Sequence, residues 1–260
     1  MNASRSAEGQ GDSFHARMLR WAGLSGIAIA IGYVAISIGF ALSGQPLPRN
    51  AAAWVSYLDG KEPIWWMIIW LSIITDILYL PVALGLHDAM KGSMRGAMLV
   101  SAALFSLFVL LELSITWSKY PALLELVRRH RDAVDTDARQ ALLAAIEAVS
   151  TEFQTPVTAF YMILIPSLAV IIASVAMLRT RAFGRVTAII GMVSGLCNAI
   201  SSLGRYLYEP LEKLVLPGSF LALFWFLGVG IRLIRNGRAA SDHDERSPAR
   251  VSRQDRTSVR

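Results

Sequence analysis

Asp76, Glu112 and Arg205 lie inside, or at the edge of, long apolar runs. A charge in such a run costs about 2.5–3.5 kcal/mol on insertion scales. It therefore faces protein or water rather than lipid, and marks a candidate site. Helical spacing supplies neighbours. Ser72, Asp76, Tyr79 and Ala83 share one face, and Thr116 stands one turn beyond Glu112. Gly191, Ser194, Gly195, Asn198, Ser201, Ser202 and Arg205 recur at helical spacing within an arc of roughly 120°. Ile189, Val193, Leu196, Ile200 and Leu203 take the opposite side. Gly191 and Gly195 form a GxxxG pair that lets another helix approach closely.

These positions predict one polar pocket between spans two, three and five, lined by Asp76, Glu112, Asn198, Ser202 and Arg205 and serving as a ligand or proton site. Depth pairs Arg205 with Glu112, because either alone would be costly. Asp76 lies deeper and is the candidate to bind or pass a proton. The competing reading is that all these groups are interhelical bonds, each worth about 0.6 kcal/mol.

Other chemistry is sparse. His87-Asp88 reads as an interface pair, and His15, His130 and His243 are too far apart in sequence to suggest a metal cluster. No HExxH, P-loop or GxSxG occurs, and no span holds a central histidine for haem. Neither a metal nor a cofactor is expected, and no catalytic residue is nominated. The single cysteine, Cys197, reads as a packing residue and permits no intrachain disulfide.

The elements that hold these residues are set by composition. Of 260 residues 54% are hydrophobic and 17% charged, against about 25% charged in soluble domains. Disordered, collagen-like and disulfide-scaffold chains are excluded. Six blocks reach or approach the ~20 apolar residues that cross a bilayer: 21–42, 64–86, 96–117, 157–178, 186–207 and 214–231. Backbone groups in lipid must be satisfied internally, and barrel-like alternation is absent, so the blocks are helices. The first is longer than the ~7–15 residues of a signal-peptide core and reads as an uncleaved span.

The fold expected is an all-α polytopic bundle of six spans in residues 21–235. A polar segment, 1–20, precedes it. Pro81 and Pro166 should kink spans two and four. With both termini placed inside, sixteen Lys and Arg fall on the inner segments and nine on the outer. That bias predicts cytoplasmic termini in a bacterial inner, or equivalent plasma, membrane. It also explains the net charge of +6 without nucleic acid. Trp65, Trp66, Trp117, Tyr120, Tyr161, Tyr206 and Tyr208 would gather at the outer interface. Residues 50–59 predict a short interfacial helix with Trp54 and Tyr57 at the headgroups. The outer loop 118–155 is too long to be structureless. Asp137 would cap a helix there, with a stripe of Leu142, Leu143, Ile146 and Val149. The tail, 236–260, is polar enough to be disordered.

Several stretches have a familiar layout: Arg20-Trp21-Ala22-Gly23; Asp76 followed by ILYLPVALGLHDAM; SKYPALLEL with DTDARQALLAAIEAV; and the closing FWFLGVGIRLIR. Together they resemble a bacterial family of six-span membrane proteins known only as a domain of unknown function, over roughly Arg17–Arg235. The resemblance implies a small helical membrane protein and supplies neither an activity nor site residues. Three function classes follow. A small-molecule or proton-coupled transporter comes first. A structural or regulatory protein that binds a partner through the outer loop or tail comes second. A membrane-embedded enzyme comes last. Beyond the lipid bilayer no partner is identified, and oligomeric state is open.

Overall fold

The computed structural model describes residues 2–44, 47–153, 155–180, 182–204 and 206–257, with side chains described within 14–241 except those of Lys91 and Glu209. Among them there is no strand. Nine α-helices follow in order: α1 Asn2–Ser43, α2 Ala51–Tyr57, α3 Glu62–Leu111, α4 Trp117–Asp132, α5 Thr136–Glu152, α6 Pro156–Ala159, α7 Ile165–Thr180, α8 Arg185–Gly204 and α9 Val215–Thr257. Two π-helical turns, Glu112–Thr116 and Phe160–Leu164, join α3 to α4 and α6 to α7.

Six stretches are long and apolar enough to cross a membrane: 14–43, 62–90, 92–132, 156–180, 185–204 and 210–241. Each coincides with one of the six apolar blocks. They form a ring in which α1 packs on α3 and α9, α3 on α7, α7 on α8, and α8 on α9. Span two and the first half of span three belong to α3, which breaks at Met94 (φ −134°, ψ 34°), and span three runs on through the first π-turn into α4. Pro81 lies within the helix, and Met94 rather than Pro81 carries the non-helical dihedrals.

Large apolar side chains point outward all round the ring, among them Trp21, Ile31, Trp70, Leu99, Ile189 and Phe220. Such a belt would be a liability in water and is what hydrocarbon requires. The core mixes small and large residues. Ala22, Ala169, Ala173, Ala176 and Ala188 interleave with Phe105, Phe183, Trp225 and Phe226. Between lipid-facing helices there is no hydrophobic driving force, so close backbone approach and interhelical bonds must hold the bundle. The α1–α9 contact shows this. A methyl on Gly23 would lie 2.6 Å from the Gly230 carbonyl oxygen, and one on Gly237 would lie 2.7 Å from that of Ala16.

The last contact places both terminal helices at one end of the bundle. It also moves an expected boundary. α9 passes Asn236 as a helix and runs on to Thr257, and Arg20 donates to Ser241 Oγ at 2.6 Å. The polar segment before Trp21 is likewise part of α1. The described contacts between the two segments are those of Gly237 with Ala16 and of Ser241 with Arg20, which composition does not register. Asp88 at this end pairs with His15, from another helix.

The opposite, loop end is a helical cap. α5 starts at Asp135, whose carboxylate accepts from the Asp137 and Ala138 amides. The N-cap is thus two residues before the expected Asp137. Ile146 is buried, with Leu143 and Val149 packed beside it in a cluster with Trp54, Leu58, Trp65, Tyr120 and Leu123. Trp54 is 2% exposed, so it fills this cluster instead of reaching headgroups. Glu147 accepts from the Ala51 amide at 2.6 Å. Lys119 pairs with Glu152, and Arg131 with Asp59 and Glu62, tying α4, α5 and the start of α3 together.

Candidate functional site

Asp76 and Glu112 are each 3% exposed. Asp76 sits midway along span two. Its Oδ2 accepts from the Trp117 indole at 2.6 Å. Glu112 opens the first π-turn, and its Oε2 has no hydrogen-bond partner among the described residues. Both acids meet the same stretch of chain: Glu112 opens the π-turn, and Trp117, which bonds Asp76, follows it directly. The Tyr33 and Tyr79 hydroxyls share a hydrogen bond of 3.1 Å across the α1–α3 contact. Tyr79 is held by Phe105, Phe108 and Phe226 rings at 4.9–5.4 Å.

The π-turns belong to the same locus. Thr116, in the first, shares a hydrogen bond of 3.1 Å with the hydroxyl of Tyr161, in the second. Both turns lie just before a proline in the helical sequence, Pro121 and Pro166. A proline ring clashes with the carbonyl four residues back and donates nothing to it, and a widened turn relieves that conflict. π-Turns recur at functional sites, and here they bring Thr116 and Tyr161 together across the two helices.

Tyr33 and Tyr79 also form part of the wall of a cavity of about 600 Å³. It is bounded mainly by α1, the Phe160–Leu164 turn with α7, α8 and α9, in the half of the bundle nearer the cap. Most of the lining is apolar. Ser37, Ser167, Ser194, Asn198 and Ser219 add polar groups to the two tyrosines.

The five predicted site residues are thus distributed. Asp76 and Glu112 come together. Asn198 lines the cavity, on the other side of the tyrosine pair's wall. Ser202 is occupied elsewhere, donating to the Ala159 carbonyl at 3.0 Å. Arg205 lies outside the described residues, so its expected pairing with Glu112 does too. The polar face of α8 does turn inward, and Ile189, Val193, Leu196, Ile200 and Leu203 are exposed. Much of that face is bonded to neighbours. Ser194 donates to Gly218 at 2.7 Å and Ser201 to Glu212 at 3.0 Å. Gly191 and Gly195 act as the spacing suggested. A methyl on Gly195 would lie 2.6 Å from Ile171 Cγ1, and one on Gly191 would strike Ser174 and Trp225.

Trp117, Tyr33 and Tyr161 were not legible as site residues. The cue available for Trp117 and Tyr161 was a proline four or five residues downstream; for Tyr33 it was a hydroxyl one helical turn from Ser37 in a largely apolar span. Among the described residues no three His, Cys, Asp or Glu side chains gather as a metal site.

No curated protein and no solved structure matches the chain. The resemblance drawn from its motifs is met by a family model, described as a domain of unknown function, that matches residues 24–237. With most of its length matched, the chain belongs to the DUF4386 family.

Proposed function

We propose that this multi-pass membrane protein is a small-molecule or proton-coupled transporter that uses Asp76 and Glu112 as its proton or cation site. The observation that supports this reading is that two carboxyls, each 3% exposed, lie within a bundle whose cavity wall carries a hydrogen-bonded tyrosine pair. Burying two acids together carries a cost of several kcal/mol, which a bound proton or cation lowers. Interhelical bonding alone is better served by serines, which this bundle uses freely. The Tyr33 and Tyr79 hydroxyls can each donate and accept, so they can hand a proton between the carboxyls and the cavity. Trp117 holds Asp76 in place while it does so. The lysine and arginine bias favours a bacterial inner or plasma membrane with both termini in the cytoplasm.

A thermal-shift screen of ions and small molecules, run on wild type beside Asp76→Asn, tests this reading. A ligand that stabilises wild type and not the variant supports it. Equal shifts for every ligand in both proteins count against it. The second reading is a membrane protein that binds a partner through its cap, favoured by Val134, a 96%-exposed apolar residue at the α4–α5 turn. Excising 133–149 would then remove a co-purifying protein.

A further inference from the structure

The inner halves of α1 and α9 are locked together, and their outer halves are not. Glycines set the lock. A methyl on Gly23 would press on Gly230 and one on Gly237 on Ala16, and the tight contact reaches Gly26, where it would lie 3.1 Å from the Phe226 carbonyl. Past that point, toward the cap, Tyr33–Ala41 of α1 and Val215–Leu223 of α9 both contribute to the cavity wall. Four of these wall residues also face outward: Val34 is 48% exposed, Ile38 55%, Leu216 65% and Phe220 60%. A side chain that both lines a cavity and meets the exterior marks a mouth. This mouth lies within the apolar belt, so what stands before it is hydrocarbon.

We propose that the cavity is filled sideways from the bilayer, between the cap-side halves of α1 and α9, by a single-chain amphiphile whose head accepts a hydrogen bond from the Asn198 amide. The apolar walls suit a chain, and about 600 Å³ is in the range of ligand pockets. The head is set by what is left unsatisfied. Ser194, one turn from Asn198, spends its hydroxyl on the Gly218 carbonyl. Asn198 is half-buried on the cavity wall with its Oδ1 turned against Gly218, so its amide nitrogen is the group left to meet a ligand. The amide nitrogen donates, and a ligand hydroxyl oxygen can accept from it. This rests on the transporter reading only in treating the cavity as a ligand site. It does not depend on Asp76 carrying a proton.

The test uses the full-length protein in lipid nanodiscs and a long-chain alcohol with a diazirine beside the hydroxyl. After illumination, adducts are expected on cavity residues such as Ser219 and Val170, and excess unlabelled alcohol should reduce them several-fold in wild type. Ser219→Trp, which fills the cavity, should reduce them similarly, and Asp76→Asn should not. Adducts confined to belt residues such as Trp21, Leu99 and Ile189, and indifferent to competitor, would overturn the proposal. The route is read separately, in a Cys197→Ser background carrying Ser219→Cys. A lipophilic maleimide should react and a charged thiosulfonate should not. Reaction with the charged reagent as fast as at a loop cysteine means a water-filled entrance and overturns sideways entry. Cavity labelling with no effect of Asp76→Asn on proton flux would uphold this inference while the proton role fails.

Discussion

The Trp117 indole reaches across from the start of α4 to the Asp76 carboxylate in span two, 41 residues away in sequence, at 2.6 Å. This bond satisfies a buried charge-bearing group and also fixes how the first π-turn meets span two. Trp117→Phe keeps an aromatic ring, though a smaller one, and deletes the donor. It should destabilise the detergent-solubilised protein by about 1–3 kcal/mol, the cost of leaving such a group unpaired. Asp76→Asn, which still offers an oxygen to the indole, should cost less. Thermal unfolding of both single variants and the double variant checks this, and additive effects would contradict the bond.

The α1–α9 lock makes a paired prediction on glycines. Gly23→Ala places a methyl 2.6 Å from a backbone oxygen that cannot swing away, so a loss of about 1–3 kcal/mol is expected. Gly96→Ala meets nothing within 4 Å in a helical stretch. It should be neutral or gain about 0.5–1 kcal/mol from reduced freedom of the unfolded chain. Melting temperatures in one detergent decide it, and equal effects would refute the packing described.

In the cap, Asp135→Ala should cost about 1 kcal/mol, because two orphan amides lose their acceptor. Asp137→Ala removes only a charge near the helix start, worth about 0.3–1 kcal/mol. Hydrogen exchange over residues 136–152 should therefore accelerate more in the first variant. The reverse order would restore Asp137 as the cap.

Orientation gives a test in cells. Reporters active only in the cytoplasm should work when fused at either end of the chain. One inserted at Val134, on the exposed turn of the cap, should be silent. Activity at Val134 with silence at both ends would invert the topology.

Much of this fold is written in one-dimensional signals. The six apolar blocks, the short helix after Asn50 and the inward polar face of α8 all follow from period and length. What the sequence hid is pairwise. Nothing local to Trp117 says that its indole finds Asp76, and nothing in Ser202 says that its hydroxyl is taken by Ala159. Asp137 was the wrong cap because both aspartates fit the motif, and only the extended backbone at Asp135 separates them. Trp54 read as an interfacial anchor because amphipathic rings favour headgroups, yet the cap made of α4 and α5 covers it. The tail past Asn236 looked too polar to order, but its first turn packs on α1 through Gly237 and Ser241.

The central claim is that the Asp76 and Glu112 carboxyls carry protons or cations. Proton uptake into liposomes holding the purified protein, driven by a potassium diffusion potential and followed with an internal pH-sensitive dye, tests it most directly. Wild type and Ser101→Ala, which removes only a bond to the Ala169 carbonyl, should exceed empty vesicles. Asp76→Asn and Glu112→Gln should fall to the empty-vesicle rate while still melting cooperatively. Wild-type flux in well-folded Asp76→Asn and Glu112→Gln would contradict the claim and leave the two acids as packing residues.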